Sequence, residues 1–229
     1  MHGAVRVRGE NIECVQVRLS PVVARAVLGA SPAELAHVVV PLEDLWGRDA
    51  ARIRQRLGDA TSWLERFELA EALLARRGET GPPVDPQVAW AWDRIVVSHG
   101  RVRVEELTAE VGWSRKRMWS RFRSQIGLPP KGAAKLVRFD HAVHRLAAGE
   151  STARVAADSG YVDQSHLHRD VLEFTGTTPA TVAGEQWLAV DDIAWAGHGV
   201  GEAASTAQAR PTNHKHGTHG QSSHGSGPV

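Results

Sequence analysis

Two short stretches carry polar side chains of the types, and at the spacing, that suit the edges and phosphates of double-stranded DNA. In the first, Ser114 heads a helical pattern in which Met118, Phe122 and Ile126 recur at four-residue steps. Those apolar positions face a core, with Leu107 and Val111 opposite. Arg115, Lys116, Trp119, Ser120 and Arg123 are left facing outward. Arginine and lysine pair with the guanine edge in the major groove, and a hydroxyl bonds either base pair. An exposed indole stacks on sugar or touches a thymine methyl. From Trp113 to Arg138 eight residues are basic and none is acidic. A solvated helix face usually mixes signs, whereas a one-signed run attracts phosphate.

In the second stretch Asp163 heads the pattern, and Leu167, Val171 and Phe174 turn inward. Gln164, Ser165, His166, His168 and Arg169 are expected on the outside. Phe139 to Glu185 holds three Arg against seven Asp or Glu, so phosphate is attracted less strongly here. His166 and His168 are two apart and share no helix face, which argues against a metal site. No Ser/His/Asp order, phosphate loop or zinc motif appears, so the reading is non-enzymatic, with no catalytic residue and no cofactor. Trp63, Trp90, Trp92 and Trp113 sit among apolar neighbours and read as core.

Each stretch follows a short apolar-periodic helix and a Gly-aromatic turn: Val104 to Val111 before Gly112-Trp113, and Ser151 to Ser159 before Gly160-Tyr161. Helix, turn and capped second helix form the unit whose second helix enters a DNA major groove. A longer helix to Gly149, with Leu136, Phe139, Val143 and Leu146 on one face, joins the two units. Asp85-Pro86 starts a helix carrying Val88, Trp92, Ile95 and Val96.

Upstream, Val5, Val7, Ile12, Val15, Val17 and Leu19 alternate in part and predict one or two strands over residues 1–19. Ser20-Pro21 opens a helix closed by Gly29, and Ser31-Pro32-Ala33-Glu34 reads as another helix start. Helices are expected over 49–57 and 62–77, the latter burying Leu64, Phe67, Leu69, Leu73 and Leu74. Beyond about residue 197 the chain has almost no large apolar side chain, which predicts a disordered tail. Its His214, His216, His219 and His224 have no fixed geometry for a metal.

The chain has 229 residues and a formal net charge of +1, so charge distribution rather than total must decide the partner. Cys14 is the single cysteine. That rules out an internal disulfide and suits the cytoplasm. No run of about 18 apolar residues is present, so no membrane span is expected.

The stretch from about Asp85 to Val182 resembles the DNA-binding domain of AraC/XylS-type transcription regulators. The likeness rests on Val104-Glu105-Glu106-Leu107, Val111-Gly112-Trp113-Ser114-Arg115, Phe122-Arg123, Gly127-Leu128-Pro129-Pro130-Lys131 and Arg138-Phe139. It continues through Gly160-Tyr161, Asp163-Gln164-Ser165-His166-Leu167, Arg169, Gly176 and Pro179. The resemblance implies promoter DNA as partner, with RNA polymerase, a small-molecule effector and a second copy of the chain as further partners. The family's base-reading positions fall on Lys116, Trp119, Ser120, Ser165, His166 and Arg169. Arg115, Arg117, Arg121, Arg123, Lys131 and Arg138 are the expected phosphate contacts.

Residues 15 to 77 are similar, less specifically, to the end of an effector half, through Leu28 to Leu35 and Val40 to Gly47. The expected fold is mainly α: an all-α domain of two helix-turn-helix units over 87–190, preceded by a small α+β remnant over 1–77 and a linker over 78–86. The short sensor region counts against an effector. A second reading is a truncated regulator that acts as a protein-interaction module by pairing with another regulator.

Overall fold

The computed structural model describes residues 13–35 and 38–184. Val5, Val7, Ile12 and the histidine-bearing tail lie outside those residues. Among the described residues there are eleven helices and no strand. Val15, Val17 and Leu19 take no regular structure; a strand needs a ladder partner, and no described segment pairs with them as one. The described part of the expected α+β remnant is therefore helical.

Helix α1 (Pro21–Leu28) starts where the Ser20 hydroxyl accepts the Val22 N–H, and ends at Gly29 in the left-handed conformation. The helix expected from Ser31-Pro32 does not propagate. Instead of capping a helix, the Ser31 hydroxyl donates to the Ser124 carbonyl at 3.2 Å, and residues 32–34 make only a turn. Regular structure resumes at α2 (Leu42–Trp46) and α3 (Arg48–Asp59).

Helix α4 (Trp63–Thr80) is capped by Ser62, and the Glu65 carboxylate reaches back to the Thr61 N–H at 2.8 Å. It runs through Gly78, so the linker is shorter than the composition suggested. Leu64 points outward, contrary to expectation, while Phe67, Leu69, Leu73 and Leu74 are half-buried. Arg77 ties these helices together. Its Nε donates to the Val27 carbonyl at 2.9 Å, and its guanidinium lies 4.4 Å from the Trp46 ring centroid.

Helices α5 (Pro86–Val97), α6 (Val104–Val111) and α7 (Arg115–Ile126) enclose one core around Trp92, Leu107, Met118 and Phe122. Helices α9 (Thr152–Asp158), α10 (Gln164–Thr175) and α11 (Pro179–Ala183) enclose a second, around Val155, Tyr161, Leu167 and Val171. Pro179 stands at the C-terminal side of the second unit. It starts α11, which buries Val182.

Helix α8 (Pro130–Ala147) belongs to both cores. It gives Ala133 and Val137 to the first, and Phe139, Ala142, Val143 and Leu146 to the second. At ~100° per residue these sets lie on roughly opposite sides of the helix.

The end of α5 is locked against α8. His99 has a positive φ of 52° and stacks on His141 with ring centroids 4.1 Å apart. Next to it, Gly100 has φ 72°, and a Cβ there would lie 2.1 Å from the Ala134 carbonyl oxygen. Gly112 also has a positive φ, but nothing lies within 4 Å of its Cβ position. Gly112→Ala should therefore cost only the left-handed penalty of about 1–2 kcal/mol. Gly100→Ala should add an overpacking cost of ~1–3 kcal/mol. Urea unfolding of the two variants measures the difference, and equal losses would deny the close approach.

Burial holds His141 neutral, helped by its neighbours His99, Arg145 and Arg101, and its pKa falls to about 4 from 6.5. The unfolded chain binds this proton first as pH falls, so the contribution is full above pH 6.5 and is lost towards pH 4. Unfolding midpoints between pH 7 and 4.5 should fall less steeply for His141→Gln than for the parent protein.

Candidate nucleic-acid interface

Each of the two exposed helices is set by a local capping device. The Ser114 hydroxyl accepts the Arg117 N–H at 3.2 Å, and Asp163 Oδ1 accepts the His166 N–H at 2.7 Å. Gly127 and Gly176, both left-handed, close the other ends. Met118, Phe122 and Ile126 are buried, as are Leu167 and Val171. The opposite faces of α7 and α10 are thereby turned to solvent.

On α7, Arg115, Lys116, Arg117, Trp119, Ser120 and Arg123 are all exposed. Lys116, Arg117, Ser120 and Arg121 line one hollow of about 310 Å³ with Ser114. Two aromatic rings hold arginines in place along the helix. Arg117 lies 4.5 Å from the Trp113 centroid, and Arg123 lies 5.0 Å from that of Trp119. Such contacts orient a guanidinium while leaving its N–H edges available. Arg115 pairs with Glu105 at 2.6 Å, both side chains being more than half exposed. A pair in that setting contributes little and exchanges readily. Lys131 is exposed at the start of α8, and neither it nor Lys116 has an ion pair among the described residues.

Two of the expected phosphate contacts are engaged within the fold. Arg121 makes a bidentate bond to Asp85, Nε and Nη2 each at 2.8 Å from a carboxylate oxygen. Burial pushes the Asp85 carboxyl up, but hydrogen bonds from Gln125 and Arg121 and the charges of Arg121 and Arg25 outweigh it. The net effect holds Asp85 below the usual range. Arg138 is turned inward, over the Tyr161 ring at 4.7 Å and 3.5 Å from Asp170. It is a joint between α8 and α10, not a solvent-facing cation.

On α10, Gln164, Ser165, His168 and Arg169 are exposed, and Arg169 Nε donates to the Ser165 carbonyl at 3.4 Å. His166 departs from expectation. Its ring packs edge-on against Tyr161 at 5.3 Å, and Nε2 lies 4.0 Å from Asp170. It supports the helix from beneath its outer face.

Five of the seven acids that make this stretch negative have partners within the fold. Asp170 is 3% exposed and meets Lys135 at 3.3 Å as well as Arg138. Glu173 takes Lys135 at 2.7 Å. Burial lowers the Lys135 pKa, but the Glu173 hydrogen bond and Asp170 charge more than reverse this and raise it. Glu150 and Asp158 converge on Arg145, whose hydrogen bonds hold both carboxyls low. Asp163 is the cap. The local balance of charge thus says little about the outer face of α10. Tyr161, buried between these groups, has its hydroxyl pushed up to about 12 by burial and by the Asp170 charge.

The helix pair α6–α7 and its counterpart α9–α10, each joined through a Gly-aromatic turn, define a double helix-turn-helix protein. Residues 107–184 match a family model described as "Helix-turn-helix domain". The match covers about a third of the chain; it supports an AraC-type DNA-binding segment there and DNA-binding transcription regulation in general. The matched family is a regulatory one rather than a family of enzymes. No curated protein and no solved structure gives a match to the chain. Among the described residues no helix is long and apolar enough to cross a membrane.

Sequence reasoning missed Asp85, Lys135, Asp170 and Gln125. Asp85 and Arg121 are 36 positions apart, and Lys135 and Glu173 are 38 apart, beyond any helical periodicity. Removing one partner of a buried charge pair typically costs ~3–5 kcal/mol, mostly from the charge left behind. Asp170→Ala should fall in this range by chemical unfolding. Lys135 retains Glu173, so the stranded charge is Arg138, and Arg138→Met added to Asp170→Ala should restore part of the loss. No recovery in the double variant would show that Asp170 acts through some other contact.

Proposed function

We propose that this protein regulates transcription by placing α7 and α10 in successive major grooves on one face of promoter DNA. The observation that carries the reading is the common attachment of both helices to α8, each with its polar face outward and its apolar face in a separate core. Insertion in neighbouring grooves requires a separation near one DNA turn, roughly 34 Å. Lys116, Trp119 and Ser120 are the base readers of α7; Ser165 and Arg169 are those of α10. His166 sets the pose of α10.

Arg115, Arg117, Arg123 and Lys131 serve the phosphates, with Arg121 available when it exchanges Asp85 for a phosphate. Residues 86–184 are the DNA-binding unit, and the helices from 21 to 80 form a separate region docked on it. RNA polymerase is the further partner that action at a promoter implies. One chain offers both reading helices, so a second copy is not needed for the contact.

Phosphate neutralisation is read from the salt dependence of binding. Arg117→Ala and Lys131→Ala should each lower the log–log slope by about 0.9. Arg138→Met should leave that slope unchanged while reducing stability. Base reading is tested separately by binding-site selection. Arg169→Ala should relax one half of the site only, by ~1–3 kcal/mol of discrimination. If the purified chain binds only a partner protein and no selected DNA, the interaction-module reading replaces this one. A full salt slope in both variants removes Arg117 and Lys131 from the phosphate contact.

A further inference from the structure

The segment that ends α5 touches the second helix-turn-helix unit directly. His99 and Gly100 meet α8, and Arg101 follows them. The Ser98 carbonyl accepts two bonds from this one residue, from its backbone N–H at 3.1 Å and from its Nε at 3.2 Å. The stem between those two donors is thereby held in one pose. It lies against the turn between α9 and α10. A Cβ built at Gly160 would stand 3.1 Å from Arg101 Cγ and 3.3 Å from Cδ. The stem therefore packs where the side chain of any other residue would begin. The Arg101 guanidinium has no ion pair among the described residues, although its charge reaches His141. The contact with the turn is made by the apolar stem.

We propose that Arg101 is a positioning residue: it braces the turn ahead of α10 against the end of α5, and so fixes the base-pair spacing between the two halves of the DNA site. The inference rests on the reading of α7 and α10 as helices in successive grooves.

Helix α8 alone does not set that spacing. Its 18 residues make an arm of ~27 Å. One added base pair moves the second groove ~3.4 Å along the duplex and turns it by about 35°, a combined shift of roughly 7 Å. At the end of the arm this calls for a tilt on the order of 15°. Helices curve with radii of ~60–100 Å, which over such a length amounts to about 15–26° of bend. Bending of α8 is thus enough to absorb an error of one base pair. Arg145 holds Glu150 and Asp158, which ties the far end of α8 to α9. The turn at Gly160 moves with that end. Arg101 reaches the same turn from the first unit and supplies a second point of attachment. Two points of attachment resist a tilt that one allows.

The full chain is tested by binding-site selection, then by titration of three duplexes. These are the selected site and the same site with one base pair added or removed between its halves. For the parent protein either change should weaken binding at least about tenfold, the loss of one base-edge contact. Arg101→Ala removes the stem, and should bring the three duplexes within about threefold of one another as α8 takes up the tilt. Arg101→Met keeps Cγ and puts its sulfur in place of Cδ, and should restore the preference of the parent protein. The salt slope should be the same in all three proteins. A spacing preference in Arg101→Ala equal to that of the parent protein overturns the proposal. So does Arg101→Met behaving as Arg101→Ala does; a salt slope lowered by about 0.9 in both then makes Arg101 a phosphate contact instead. A parent protein that selects a single half-site refutes the two-groove reading, and the spacing role with it. A parent protein that selects two halves at fixed spacing upholds that reading, and Arg101→Ala then decides the role of Arg101 by itself.

Discussion

One helix has to satisfy two hydrophobic cores at once, and the rest of the DNA-binding half is arranged around that demand. Helix α8 buries Ala133 and Val137 on one side and Val143 and Leu146 on another. An ordinary surface helix has one apolar stripe and a free polar face. Helix α8 has little free face left, so its polar residues are drawn into joints: Lys135 and Arg138 toward α10, His141 toward the end of α5. Because the two units share no core, their relative placement depends on the stiffness of α8 and on these joints. Gly100, which lets the α5 end touch the α8 backbone, belongs to the same constraint.

The electrostatics follow from it. A count along the chain assigns a basic first unit and an acidic second one. In space the acids Asp170, Glu150 and Asp158 face cations of the scaffold, and two basic residues of the first run, Lys135 and Arg138, are what neutralise Asp170. Buried pairs of this kind need both members, and their contribution to stability is far smaller than the cost of losing one. They set geometry, and they remove opposing charge from the helix that faces outward. The cations left on the surface, Arg115, Lys116, Arg117, Arg121, Arg123 and Lys131, are fewer than the sequence run implies and are concentrated on α7 and the start of α8.

What was legible in the sequence was local. Ser114 and Asp163 cap as their types demand, the Gly-aromatic turns fall where expected, and the four-residue recurrence of Met118, Phe122 and Ile126 marks the buried face. These features depend on neighbours within about one helical turn. The misreadings come from competing contacts. Ser31 carries the signature of a cap but gives its hydroxyl to Ser124, 93 positions away. His166 falls on the outer side of a helical wheel, yet Tyr161 and Asp170 hold it down. Arg138 reads as one more cation in a basic run, yet it lies over a buried ring. For Ser31 and Arg138 a partner distant in the chain competes with the local role and nothing in the spacing announces it, whereas the partners of His166 lie within five positions of it.

Trp119 carries a consequence of a different kind. It is 48% exposed on the outer face of α7, with the Arg123 guanidinium 5.0 Å from its ring, whereas Trp92 is sealed in the first core. An indole in contact with water and a cation emits differently from one in hydrocarbon surroundings. Whatever comes to lie on α7 displaces that water and that cation together. The surface offered to a partner thus contains its own optical reporter, built from a native side chain and needing no attached dye.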